Sequence, residues 1–257
     1  MKFADLDTNY AVSAVKGKGH DRHFIRPDFV GIADGATPLD PSWPSNPGEF
    51  AAFALAELAR ASRQEHADIV TVWRQAISRA ANEFSVVEPQ LSCSLAIARR
   101  TGDVIELACL GDCGAIILCR DGSLMSIRDD VISEFDSEAD GASGEEVQHI
   151  LLRNRASLNT LGGYWAFSAN TDAADHILTS RIRVDELENL VLYTDGFYRL
   201  RDYYKILQSD EELLQLVLEI GPPAAIDWLR QYENSLPGGT PRPADDAAII
   251  VASRNQS

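Results

Sequence analysis

Apolar positions along this chain follow two rhythms, and the changes of rhythm mark its elements. In "LSCSLAIARR" (91–100) apolar and small polar residues alternate with period two, as in a strand. Turn residues Thr101-Gly102-Asp103 lead into "VIELACL", Gly111-Asp112-Cys113-Gly114 interrupts, and "AIILCR" runs to Asp121-Gly122. Short strands joined by turn dipeptides predict an antiparallel meander. Further strands are predicted over 3–15, 29–33, 176–182 and 189–193, with "AAIIVAS" as the last.

The other rhythm is helical. In "SNPGEFAAFALAELARAS", Asn46 is a cap, Pro47 a first-turn residue and Glu49 the partner in a capping box. Phe50, Ala54, Leu55 and Leu58 then share one face. A second helix is predicted from Ile69 to Phe84, with Trp73, Ile77 and Ala80 inward. "SGEEVQHILLRNRA" begins with a Ser143–Glu146 capping box, and "SDEELLQLVLEIG" and "PPAAIDWLRQYENSL" are two more helices. Residues 158–175 read as an irregular excursion. Paired helices beside antiparallel strands predict an α+β layered fold in a single domain, 1–257.

Composition narrows the class. A chain of 257 residues with 45% apolar and 24% charged residues can bury a sizeable core. No apolar run approaches the ~20 residues of a membrane span, and the first ten residues lack a signal-peptide core. A non-secreted, cytoplasmic protein without membrane attachment is expected. The net charge of −16 would repel nucleic acid. Cys93, Cys109, Cys113 and Cys119 form no C-x-x-C pair and sit in apolar stretches, so buried free thiols are expected rather than zinc ligands or disulfides. There is no G-x-S-x-G elbow, and "GKG" at 17–19 is too short for a phosphate-binding loop.

Candidate chemistry lies at the strand ends. "FVGIADG" and "LVLYTDG" each run an apolar strand into an aspartate and a glycine: Asp34-Gly35 and Asp195-Gly196. The glycine is expected to permit a sharp turn and expose a backbone carbonyl. Asp245 and Asp246 open the last strand, and Asp21 follows the first. Alone, each corner reads as a common Asp-Gly turn. Brought to one sheet edge, the same carboxylates would form an oxygen-ligand site for magnesium or manganese.

The ordered set "GKGHD", "VGIADG", "CSLAIA", "LGDCGAIIL", "LVLYTDG" and "ADDAAIIVA", spanning roughly 5–252, resembles the metal-dependent serine/threonine protein phosphatases of type 2C. The resemblance implies a four-layer α-β-β-α sandwich, two antiparallel sheets flanked by helix pairs, with a dinuclear metal centre at one end. It implies that Asp34 bridges both metals, that the Gly35 carbonyl binds one, and that Asp195 and Asp245 are direct ligands. Asp21 would hold metal-bound water, and Asp129 would help hold an optional third metal. Asp112 is assigned a turn role. Residues 158–175 would be a flap, in which Trp165 and Phe167 either contact substrate or pack in the core.

The chain departs from the family pattern at several points. Lys16 stands where an arginine usually grips the substrate phosphate, and lacks its bidentate fork. Gly19-His20 replaces Asn-Glu, "DGATP" replaces a glycine-rich turn, and Arg199 replaces a carboxylate four residues beyond Asp195. The expected activity is hydrolysis of phosphomonoesters, phosphoserine or phosphothreonine on proteins, by a water bridged between two divalent metals. Lys16 would bind the phosphate, and His20 is a candidate proton donor. The alternative is a pseudophosphatase, a fold retained for binding or regulation.

Overall fold

A computed structural model describes residues 1–15, 19–39, 46–64, 66–84, 91–139, 142, 145–237 and 244–254. The first sheet has the order β1 (Lys2–Phe3), β2 (Leu6–Ser13), β11 (Ala247–Ser253), β10 (Leu187–Tyr193), β7 (Gly114–Cys119) and β8 (Leu124–Ile127). The second runs β3 (Arg22–Arg26), β4 (Phe29–Gly35), β5 (Cys93–Thr101), β6 (Val104–Leu110) and β9 (Leu178–Arg183). Neighbouring strands pair antiparallel throughout. The β5–β6 and β7–β8 hairpins turn at Gly102 and Gly122, both with positive φ, where the sequence places them.

Side chains alternate between the two faces of each sheet, so each sheet serves two cores. Val30, Ile32, Ala96, Leu107, Leu192 and Ile250 fill the space between the sheets. The opposite face of the second sheet, with Phe29, Leu95 and Ile97, packs on α1 (Pro47–Ala61) and α2 (Ile69–Phe84) around the fully buried Trp73. The outer face of the first sheet, with Val191, Tyr193 and Ile249, packs on α5 (Asp195–Asp202) and α6 (Asp210–Ser235). The result is the four-layer α-β-β-α sandwich. Two shorter helices, α3 (Val131–Ser137) and α4 (Glu145–Ala156), follow the β7–β8 hairpin.

Local signals act as expected at several element ends. The side chain of Asn46 accepts the N–H of Glu49, and Ser209 accepts that of Glu212. The two helices expected across 209–236 meet at a kink, where Gly221 has φ 79° and ψ 159°, and Pro222-Pro223 begins the second half. Ser143 lies outside the described residues. Strand β3 has no counterpart in the sequence pattern, because "RHFIR" is half-buried throughout and carries no alternation. Cys93, Cys109 and Cys113 are buried free thiols, and Cys119 is half-buried. No helix among the described residues is long and apolar enough to cross a membrane.

Candidate metal centre

Four chain segments meet at one end of the sandwich. Asp34 is the last residue but one of β4, opposite Ser94 of β5, after five buried residues, Phe29 to Ala33. Arg22 pairs with Ala33, so Asp21 arrives beside Asp34 from the neighbouring strand. Tyr193 of β10 pairs with Ile249 of β11, which places Asp195 beside the residues that precede β11. The N–H of Thr194 donates to the carbonyl of Ala248 at 3.1 Å and closes that corner.

The glycines do something other than turn. Neither Gly35 nor Gly196 has positive φ. A Cβ on Gly35 would lie 2.5 Å from the Pro47 carbonyl oxygen, and one on Gly196 would lie 1.8 Å from that of Asp246. Each Asp-Gly pair therefore ends where a second backbone passes too close for any side chain. Glycine is required at both places, but by close approach and not by the expected sharp turn. At Asp195 the corner is also a helix start: Thr194 is the cap and Asp195 opens α5, where its charge meets the positive end of the helix.

A cavity of about 310 Å³ opens here, lined by Asp34, Gly35, Asp112, Asp195 and Asp245, with Ser92, Ser94, Arg155 and Tyr164 among its walls. Asp112, expected as a turn residue, is buried and lines this cavity. Its N–H donates to Ser94 Oγ at 3.3 Å. The available signal is position: "LGDCG" is a third apolar strand ending in glycine and aspartate, in reversed order. Arg155 and Tyr164 come from α4 and the excursion after it, and nothing local in the sequence marks them.

Burial pushes the carboxyl of Asp34 well above the ordinary range, and Asp21, Asp195, Asp245 and Asp112 push it further. Asp21 is 3% exposed, and burial raises it most. The Thr194 hydroxyl, donating to Asp21 Oδ2 at 2.8 Å, partly offsets that, while Asp195 adds to it. Oδ1 of Asp21 and Oδ1 of Asp195 are buried with no hydrogen-bond partner among the described residues. Crowded carboxylates with orphaned oxygens are costly unless a cation joins them. The donor set is all oxygen, so the residues present fit magnesium or manganese. The carboxylates share a cavity rather than a finished shell: no group of three or more His, Cys, Asp or Glu among the described residues is already arranged to hold a metal.

Asp129 and His20 do not line the cavity. Asp129 accepts the N–H of Val131 at 3.0 Å, ahead of α3, and is not among the residues lining the cavity. His20 donates its backbone N–H to Asp246 and does not line it either. Lys16 lies outside the described residues. Asp246 is 3% exposed and anchors the first loop, accepting the N–H groups of Val15 and Gly19 at 2.7 Å each. Within 158–175, Phe167 is fully buried and pairs with Cys93 through two backbone hydrogen bonds, so it is a core residue. Trp165 stacks on His176, with ring centroids 3.5 Å apart.

The comparisons with known proteins agree with this architecture. The family model described as protein phosphatase 2C matches residues 48–230. This chain belongs to the protein phosphatase 2C family. A comparison with curated protein sequences finds no match. Among solved structures, the Mycobacterium tuberculosis serine/threonine phosphatase PstP/Ppp is similar, with TM-score 0.61 and 18% identity, over 96% of this chain and 98% of that one. The catalytic domain of PstP in complex with two manganese ions is similar with TM-score 0.59 and 20% identity, over 96% and 97% of the two chains. Stp1 from Staphylococcus aureus gives TM-score 0.59 and 14% identity, over 99% and 98%. At these identities the structural likeness establishes the fold.

Proposed function

We propose that this chain hydrolyses phosphomonoesters, most specifically phosphoserine and phosphothreonine on proteins, with the help of two divalent metal ions. The observation that carries the reading is the set of crowded carboxylates: Asp34 crowded by four others, and Asp21 and Asp195 each with an orphaned buried oxygen. Family membership supports the reaction class, and the manganese ions bound by PstP support manganese as one suitable metal.

Asp34, the Gly35 carbonyl, Asp195 and Asp245 would hold the metals, with Asp21 behind them. The metals would supply an activated water and neutralise charge on the phosphoryl oxygens. The chain's own residues do the rest. Strands β4, β10 and β11 fix the carboxylates on a rigid frame. Arg155 presents a cation at the cavity wall, where a phosphoryl group would enter, and Lys16 is the second candidate for that contact. His20 is the candidate proton donor to the leaving group.

One observation favours the pseudophosphatase reading: Arg199 Nη2 already occupies Asp245 Oδ2 at 2.9 Å. Phosphate release from a phosphoserine or phosphothreonine peptide decides between them. The enzyme reading expects release in Mn2+ or Mg2+ that excess EDTA abolishes and that Asp34→Asn abolishes as well. Equal rates in EDTA, or no release in any metal, contradict it.

A further inference from the structure

Arg199 sits four residues after Asp195 in α5, on the same helix face. It is 8% exposed. Its Nη2 donates to Asp245 Oδ2 at 2.9 Å, while Asp245 Oδ1 accepts the backbone N–H of Asp246 at 3.0 Å. Both oxygens of Asp245 are therefore engaged and its charge is compensated. Asp21 and Asp195 each keep a buried oxygen that lacks a partner among the described residues, although Asp195 also stabilises the Arg199 charge. Asp245 is the carboxylate that the guanidinium is seen to engage by a direct hydrogen bond.

We infer that Arg199 is a built-in cation that competes with a divalent metal for Asp245. The centre would then hold cations unequally: tightly against Asp34 and Asp21, and weakly on the Asp245 side. The inference rests on the two-metal reading above. A guanidinium cannot relieve the competition by losing its proton. It has to swing away from the carboxylate. Asp195 and Asp245 stabilise its charge most, and the nearby Glu233 is already paired with Arg230 Nη1 at 2.7 Å. Glu233 is 7% exposed and accepts the Tyr204 hydroxyl at 2.9 Å. Arg199 is a positioning residue in this account. It sets how readily Asp245 is released to a metal and does not touch substrate.

Two cations sharing one carboxylate lie a few ångströms apart, and their repulsion is worth roughly tenfold in affinity even at the dielectric constant of water. The test is calorimetric titration of the full chain with Mn2+ alone, without substrate. The wild type is expected to show a tight and a weak step. In Arg199→Gln the weak step tightens by roughly tenfold or more, and the metal concentration for half-maximal phosphatase activity falls in parallel. If Arg199→Gln does not fold, Arg199→Lys serves, since an ammonium lacks the planar fork; it is expected to tighten the weak step by roughly two- to fivefold, a partial loss of the contact. Unchanged or weaker Mn2+ binding in a folded variant overturns the inference, even if the wild type is an active phosphatase. A wild type that binds no metal lacks the predicted tight step and overturns the inference together with the native enzyme reading. Absence of binding in both overturns both.

Discussion

The hydroxyl of Thr194 donates to Asp21 Oδ2 at 2.8 Å and accepts the backbone N–H of Ala248 at 2.9 Å. One fully buried threonine thus ties β11 of the first sheet to the residue that precedes β3 in the second. The carboxylate cluster spans two sheets, and this side chain is a direct link between them. Replacing Thr194 by valine preserves shape and removes both bonds, leaving a buried carboxylate oxygen and a buried N–H unpaired. Thr194→Val is expected to lower unfolding free energy by about 2–4 kcal/mol. Urea denaturation in EDTA measures this. A loss below about 0.5 kcal/mol would mean that the bond does not matter to the fold.

The two Asp-Gly corners predict a steric result. Gly196 is not in the left-handed region, so a backbone-strain account expects alanine to be tolerated there. The Asp246 carbonyl oxygen, 1.8 Å from the place a Cβ would take, implies the reverse. Gly196→Ala should cost more than about 3 kcal/mol or abolish folding. Gly102→Ala, at a hairpin with φ 60° and open space around it, should cost about 1 kcal/mol. Thermal melts of the two variants compare these directly, and equal losses would refute the steric account.

Crowding of the carboxylates also sets a pH dependence in metal-free protein. Burial, then neighbouring charges, raise the folded-state values of Asp34 and Asp21 above 3.8. The folded chain therefore keeps protons that the unfolded chain has released. This contribution to stability is fully present below the unfolded value and is lost as pH rises through the raised values. In EDTA, Asp34→Asn is expected to be more stable than wild type at neutral pH, by about 1–3 kcal/mol, and to lose less stability as the pH is raised from acid to neutral. Chemical denaturation across that range gives the two slopes. Parallel slopes would show that Asp34 is not under electrostatic pressure.

Much of the frame can be read along the chain. Helix α1 follows from its cap and apolar stripe, α2 from its apolar stripe, and the meander from period-two runs and turn dipeptides. Asp34, Asp195 and Asp245 are marked by a shared context, a strand end, and the fold brings all three to one cavity. The rest is hidden for physical reasons. Strand β3 is half-buried on both faces, so its composition shows no alternation. Arg155 reaches the cavity from a helix more than a hundred residues away from Asp34, by packing that no local pattern records. The glycines of the Asp-Gly pairs look like turn residues because close approach and turn chemistry select the same amino acid. Asp129 matches a position in a pattern, but its side chain accepts the N–H of Val131.

The central claim is that carboxylates distant in sequence form one site that takes divalent cations. Crystals of the chain soaked in Mn2+, with anomalous scattering recorded at the manganese edge, test it most directly. Two anomalous peaks are predicted in the cavity, with Asp34 in contact with both and Asp195 and Asp245 each in contact with at least one. Peaks confined to the outer surface, or an empty cavity at millimolar Mn2+, would contradict it.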